Sequence, residues 1–120
     1  MYQFYFEKLD VWQSARLLAT AVYKITKEFP ISEQFGITSQ IRRAATSISA
    51  NVAEGMSRNT DKDKARFINQ AYGSAIEVIN FLIIANDLRI LSSPDYIQLR
   101  EHVEKITNQL NALSKKLRIP

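Results

Sequence analysis

Gln40-Ile41-Arg42-Arg43-Ala44-Ala45-Thr46-Ser47-Ile48-Ser49-Ala50-Asn51-Val52-Ala53-Glu54-Gly55 is the stretch whose reading decides the fold. At 100° per residue, Ile37, Ile41, Ala44, Ala45, Ile48 and Val52 share one helical face about 80–100° wide, which predicts a core-facing helix. Gln40, Arg43, Ser47, Asn51 and Glu54 follow at spacings of 3, 4, 4 and 3. That spacing keeps them in one line along an edge of the apolar face. Arg42 lies on the other flank. Short polar side chains and arginines beside an apolar seam point to specific hydrogen bonding. Gly55 is read as the helix stop.

Outward from this helix, three more seams appear. The first runs Val11, Ala15, Leu18, Val22, Ile25, Phe29, on a helix expected from about Asp10 to Phe29 and stopped by Pro30. The third helix should start after Thr60, a natural N-cap with Asp61 and Asp63 in the first turn. Its seam is read as Ile68, Tyr72, Ala75, Ile79, Leu82. The fourth is expected to open with Ser93 as cap and Pro94 at the first helical position. Its seam is Leu99, Val103, Ile106, Leu110, Leu113, Leu117.

Spacings that average 3.5 residues keep a stripe on its neighbours only when helices run nearly parallel or antiparallel. The connections, near 30–36, 56–60 and 89–93, are short and force antiparallel neighbours. The expected fold is all-α: a single-domain, up-down-up-down four-helix bundle covering residues 1–120. Only three Gly and three Pro leave little room for loops, and no stretch alternates like a strand. Zero Cys excludes disulfides, thiolate metal sites and thiol nucleophiles. No signal-like opening is visible, and the longest uninterrupted apolar run, Phe81–Ala85, is far short of a membrane span. A cytoplasmic protein without a membrane partner is expected.

No catalytic, cofactor or metal constellation is expected either. His102 is the only histidine, and with Glu101 and Glu104 it falls short of the ligand sets of di-iron bundles. Gly73-Ser74 inside the third helix is read as close helix packing. A net charge of +4 and a pI of about 9.5 favour anionic partners by long-range attraction. Lys115, Lys116 and Arg118 follow Glu104 with no acid after it. They form the first candidate nucleic-acid patch, and Arg58, Lys62, Lys64 and Arg66 the second. Arg42 is a further phosphate candidate. For Arg43 two readings stand: phosphate binding, or a pair with Glu77 or Glu54 across helices or subunits. Arg43 and Glu54 are about 16 Å apart along one helix, so each needs a partner elsewhere. The stripe Gln40, Arg43, Ser47, Asn51 and Glu54 is taken as structural.

Phe81, Ile84 and Leu88 lie opposite the third helix's seam, with Glu77 one turn before Phe81. A bundle helix apolar on both sides is either unusually buried or covered by another subunit. The subunit interface is the reading adopted. Trp12, Phe67 and Tyr72 occupy core-like positions. Tyr2, Phe4, Tyr5 and Phe6 precede the first helix and should close the bundle end or dock on a neighbour.

The central run also resembles the signature of the small bacterial four-helix-bundle proteins encoded in intervening sequences of 23S ribosomal RNA genes. The accessory subunit of diversity-generating retroelements is similar. Phe6-Glu7-Lys8-Leu9-Asp10-Val11-Trp12-Gln13 and Ala71-Tyr72-Gly73-Ser74-Ala75-Ile76-Glu77 agree as well. Ser49 departs from the pattern, since many relatives have a proline there that would kink the helix. The resemblance implies ring-shaped homo-oligomers, typically pentamers. It also implies structured ribosomal RNA, or a nucleic-acid complex with a reverse transcriptase, as the partner class. The functional expectation is a non-enzymatic bundle that self-associates and offers a basic surface to RNA or DNA. The alternative is a protein-interaction scaffold with incidental charge.

Overall fold

A computed structural model of the chain describes residues 1–117. Four helices follow a short 3-10 turn at Tyr5–Lys8: α1 (Asp10–Thr26), α2 (Ile37–Gly55), α3 (Asp61–Asp87) and α4 (Ser93–Lys116). Among the described residues there is no strand. Each helix packs on its chain neighbours and α4 closes back on α1, while the diagonal pairs stay apart. The result is an antiparallel four-helix bundle, with α2 and α3 the most extensive pair.

The core follows the apolar stripes. Every residue of the α2 seam from Ile37 to Val52 is buried. So are Val11, Ala15, Leu18 and Val22 of α1, and Leu99, Val103, Ile106 and Leu110 of α4. On α3 the buried line is Ile68, Ala71, Ala75, Val78, Leu82 and Ala85, and Tyr72 and Ile79 are only half-buried on its flank. The expected α3 seam is therefore rotated. The small residues Ala71, Ser74 and Ala75 take the inner positions where α3 meets α2, and the bulkier ones sit beside them.

Two helix ends also differ from expectation. α1 stops at Thr26 rather than Phe29. The residue before a proline avoids the helical region, so the chain unwinds ahead of Pro30. Phe29 still enters the core, from the turn. The α4 cap is Ser92, whose hydroxyl accepts from the Asp95 amide at 3.3 Å. Pro94 thus sits one position deeper, still among the amides that need no intrahelical partner. Thr60 caps α3 as expected, accepting from the Asp63 amide at 3.2 Å.

The α3–α4 corner is built around Arg89, with φ at 62°. The Arg89 amide donates to Asn86 O and the Ile90 amide to Ala85 O. This left-handed stop normally uses glycine.

Candidate functional site

The polar stripe of α2 faces α3 and is satisfied step by step. Arg43 donates to Gln40 Oε1 at 2.9 Å and to Glu77 Oε2 at 3.2 Å. One turn on, the Ser47 and Ser74 hydroxyls are 2.9 Å apart, with Ser74 buried. Asn51 Nδ2 donates to the Ser47 carbonyl and hydroxyl at 2.9 and 3.1 Å. Glu54 accepts from Arg58 at 3.2 Å, just past the helix end. Asn51 therefore finds its partner within its own helix, and Glu54 finds its own one turn further along the chain. The Arg43–Glu77 pair is 64% and 42% exposed, so it positions side chains more than it stabilises them.

Gly55 closes this seam by proximity. A Cβ built there would stand 2.5 Å from the Phe67 Cβ. No glycine has positive φ, so its role is room for α3 rather than a left-handed cap. Gly73 behaves oppositely: a Cβ there meets nothing within 4 Å, so only Ser74 of the Gly73-Ser74 pair packs closely.

Arg42 turns to α1. Its Nε donates to Thr26 Oγ1 at 2.8 Å, its guanidinium lies 4.6 Å over the Tyr23 ring, and it reaches the Tyr23 carbonyl at 3.4 Å. It thereby serves carbonyl and hydroxyl groups at the unwound end of α1. His102 Nε2 lies 2.9 Å from the Ser14 carbonyl and ties α4 to α1. Arg100 on α4 donates to the Tyr96 hydroxyl and to Glu104. Those bonds, Tyr96 first, raise its pKa above the ordinary arginine value and keep it cationic. Among the described residues no three His, Asp or Glu gather as a metal-binding group.

The antiparallel topology puts the end of α4, the α2–α3 turn and the chain start at one end of the bundle. Lys115 and Lys116 are exposed there, as are Arg58, Lys62 and Arg66, with Lys64 half-buried. Arg58 and Arg66 flank the Phe67 ring at 4.6 and 4.8 Å and pair with Glu54 and Asp63. Lys62, Lys64, Lys115 and Lys116 form no ion pair among the described residues. Arg118 lies outside the described residues. At the same end Phe6 packs edge-on against Trp12, and Phe4 stacks on Phe6. Tyr2, Phe4 and Tyr5 remain exposed.

On α3, Phe81 is half-buried against the core of its own chain, while Ile84 and Leu88 are 39% and 56% exposed. Ile76 and Ile83 join them on the outer surface. The sequence reading missed a groove of about 370 Å³ lined by Ala19, Thr20, Tyr23, Lys24, Lys27 and Thr46. The signal available was Tyr23, an aromatic residue outside the α1 seam that is 43% exposed.

Fold and seam together define a small antiparallel bundle whose second and third helices are joined by a hydroxyl and guanidinium ladder. The chain belongs to the family of 23S rRNA-intervening sequence proteins, whose model matches residues 7–112. It is similar in fold to the crystal structure of a protein of unknown function from the S23 ribosomal protein family of Bacteroides thetaiotaomicron. That match has 24% identity and a TM-score of 0.81, covering 88% of this chain and 98% of the other. No curated protein matches. The likeness to the retroelement accessory subunit is carried only by the residues quoted above.

Proposed function

We propose that the chain is a non-enzymatic, self-associating cytoplasmic bundle that holds RNA or DNA at its basic end through backbone electrostatics. The observation that carries this reading is the gathering of both lysine clusters at one end, beside exposed Tyr2, Phe4 and Tyr5. Positive charge interleaved with aromatic faces suits phosphates and unpaired bases together. In a ring assembly of the pentameric kind that end is repeated around the axis, and weak contacts become multivalent. The family description names the intervening sequence of 23S rRNA, so a structured 23S fragment is the first RNA to test.

The exposed apolar surface of α3 favours a second reading, a scaffold for proteins without nucleic acid. Titration of the 23S fragment and an unrelated duplex at two salt concentrations separates the two. Electrostatic binding appears at low salt with both and weakens steeply as salt rises. No binding at low salt leaves the scaffold reading, and binding indifferent to salt removes the electrostatic mechanism.

A further inference from the structure

The groove of about 370 Å³ between α1 and α2 is lined by residues that are polar by name and apolar in effect. Thr20 Oγ1 donates to the Leu17 carbonyl at 2.9 Å, and Thr46 Oγ1 to the Arg42 carbonyl at 2.9 Å. Each hydroxyl is spent on its own helix, so methyl groups and Ala19 line a surface that is almost wholly apolar. Tyr23 forms the wall. Arg42 stacks on its ring at 4.6 Å while bonding Thr26 at 2.8 Å, which holds the ring in place before any ligand arrives. Lys24 and Lys27 complete the rim, one helical turn apart and with no ion pair among the described residues. From α1 through α2 the acids are Asp10, Glu28, Glu33 and Glu54. Asp10 and Glu54 stand at the opposite end of the bundle, and neither Glu28 nor Glu33 pairs with a cation among the described residues.

We propose that this groove docks an acidic amphipathic helix of a partner protein, with one large apolar side chain in the groove and carboxylates on Lys24 and Lys27. Three features choose this occupant. Every lining residue except Ala19 is exposed, so the groove is too open to enclose a small molecule, which needs most of its surface buried. A longer segment that also rests on the groove's flanks does not have that need. Nucleic acid fits poorly, because almost no polar surface lines the floor to meet a base edge. One face of the Tyr23 ring, where a base would stack, already carries the Arg42 guanidinium. A helix supplies the remaining match. Acids three or four residues apart project one above the other, as Lys24 and Lys27 do, and an apolar side chain on the same turns lies beside them. The groove is far from Lys115 and Lys116, so this site stands or falls apart from the nucleic-acid reading.

The probe is a fluorescein-labelled helical peptide with a leucine stripe flanked by glutamates. Two controls accompany it: one with glutamine for each leucine, one with lysine for each glutamate. Anisotropy titrations use wild type, Lys24→Glu with Lys27→Glu, Thr20→Trp, and Lys115→Gln with Lys116→Gln. Helical content and mass are checked for each by circular dichroism and light scattering. Wild type should bind the glutamate peptide alone. The charge reversal and Thr20→Trp, which fills the groove from an exposed position, should each weaken that binding by about tenfold or more. Lys115→Gln with Lys116→Gln should leave it unchanged. The charge-reversed protein should take up the lysine peptide instead, a gain that mere damage to the fold would not give. No binding to wild type, equal binding of the glutamine control, or dependence on Lys115 and Lys116 in place of Lys24 and Lys27 overturns the proposal. So does binding of the 23S fragment that is lost with the Lys24 and Lys27 charges, which assigns the groove to nucleic acid. Dissociation of an assembled wild type by Thr20→Trp overturns it too, and assigns the groove to a second copy.

Discussion

The hydroxyls of Ser47 and Ser74 meet at 2.9 Å across the α2–α3 seam, and Asn51 donates to Ser47 from one turn below. A hydroxyl pair in a half-buried seam helps fix the register of two helices that also meet through the Arg43–Glu77 pair and through apolar side chains. Replacing Ser74 by Ala removes that partner, and replacing both serines removes the demand. A double-mutant cycle in urea should give a coupling of about 0.5–1.5 kcal/mol. A coupling near zero would mean the hydroxyls prefer water.

Two glycines should respond in opposite directions. Gly55→Ala forces a methyl into the 2.5 Å gap to Phe67 and should cost about 1–3 kcal/mol. Gly73→Ala fills open space in a helix interior and should gain about 1 kcal/mol. Denaturation in an Ile84→Glu background keeps assembly out of the comparison.

Arg89 holds a left-handed conformation at φ 62°. Glycine adopts it without the Cβ clash, so Arg89→Gly should stabilise the chain by about 1 kcal/mol. For a domain of this size that raises Tm by roughly 4 °C. An unchanged or lower Tm would show that the arginine side chain contributes more than its backbone costs.

Ile84→Glu places a charge on the outer face of α3. If that face is covered by a second copy, the assembly should fall apart, because the carboxylate would be buried without a partner. Helical content should hold, since Ile84 lies outside the core cluster. Circular dichroism with light scattering reads both; an intact assembly counts against the interface.

Lys115→Gln with Lys116→Gln should weaken binding to all nucleic acids alike and flatten the salt slope, by about 0.9 per phosphate contact on a duplex. Folding and assembly should be unaffected, because exposed charges contribute little stability. Base-specific loss in a filter-binding titration would instead indicate direct readout.

Much of the site was legible as a line of residues but not as a set of bonds. The spacing of Gln40, Arg43, Ser47, Asn51 and Glu54 identified an edge, and Glu77 was named for Arg43. The Ser74 contact was out of reach, because helix periodicity says nothing about rotation relative to a neighbour. The α3 seam shows the same limit: periodicity favoured Tyr72 and Ile79, while the close approach of α2 selected Ala71 and Val78.

The sequence by itself determined four helices, their order and most of their core faces. Heptad spacing and short connections are local properties that leave one topology. The caps at Thr60 and near Pro94 were readable because they act within a few residues. Only the tertiary structure decided that Arg42 serves the end of α1, that Gly55 makes room for Phe67, and that Arg89 turns the corner without glycine. Each of these depends on distances between segments far apart in the chain, or on backbone geometry that a residue's identity does not announce.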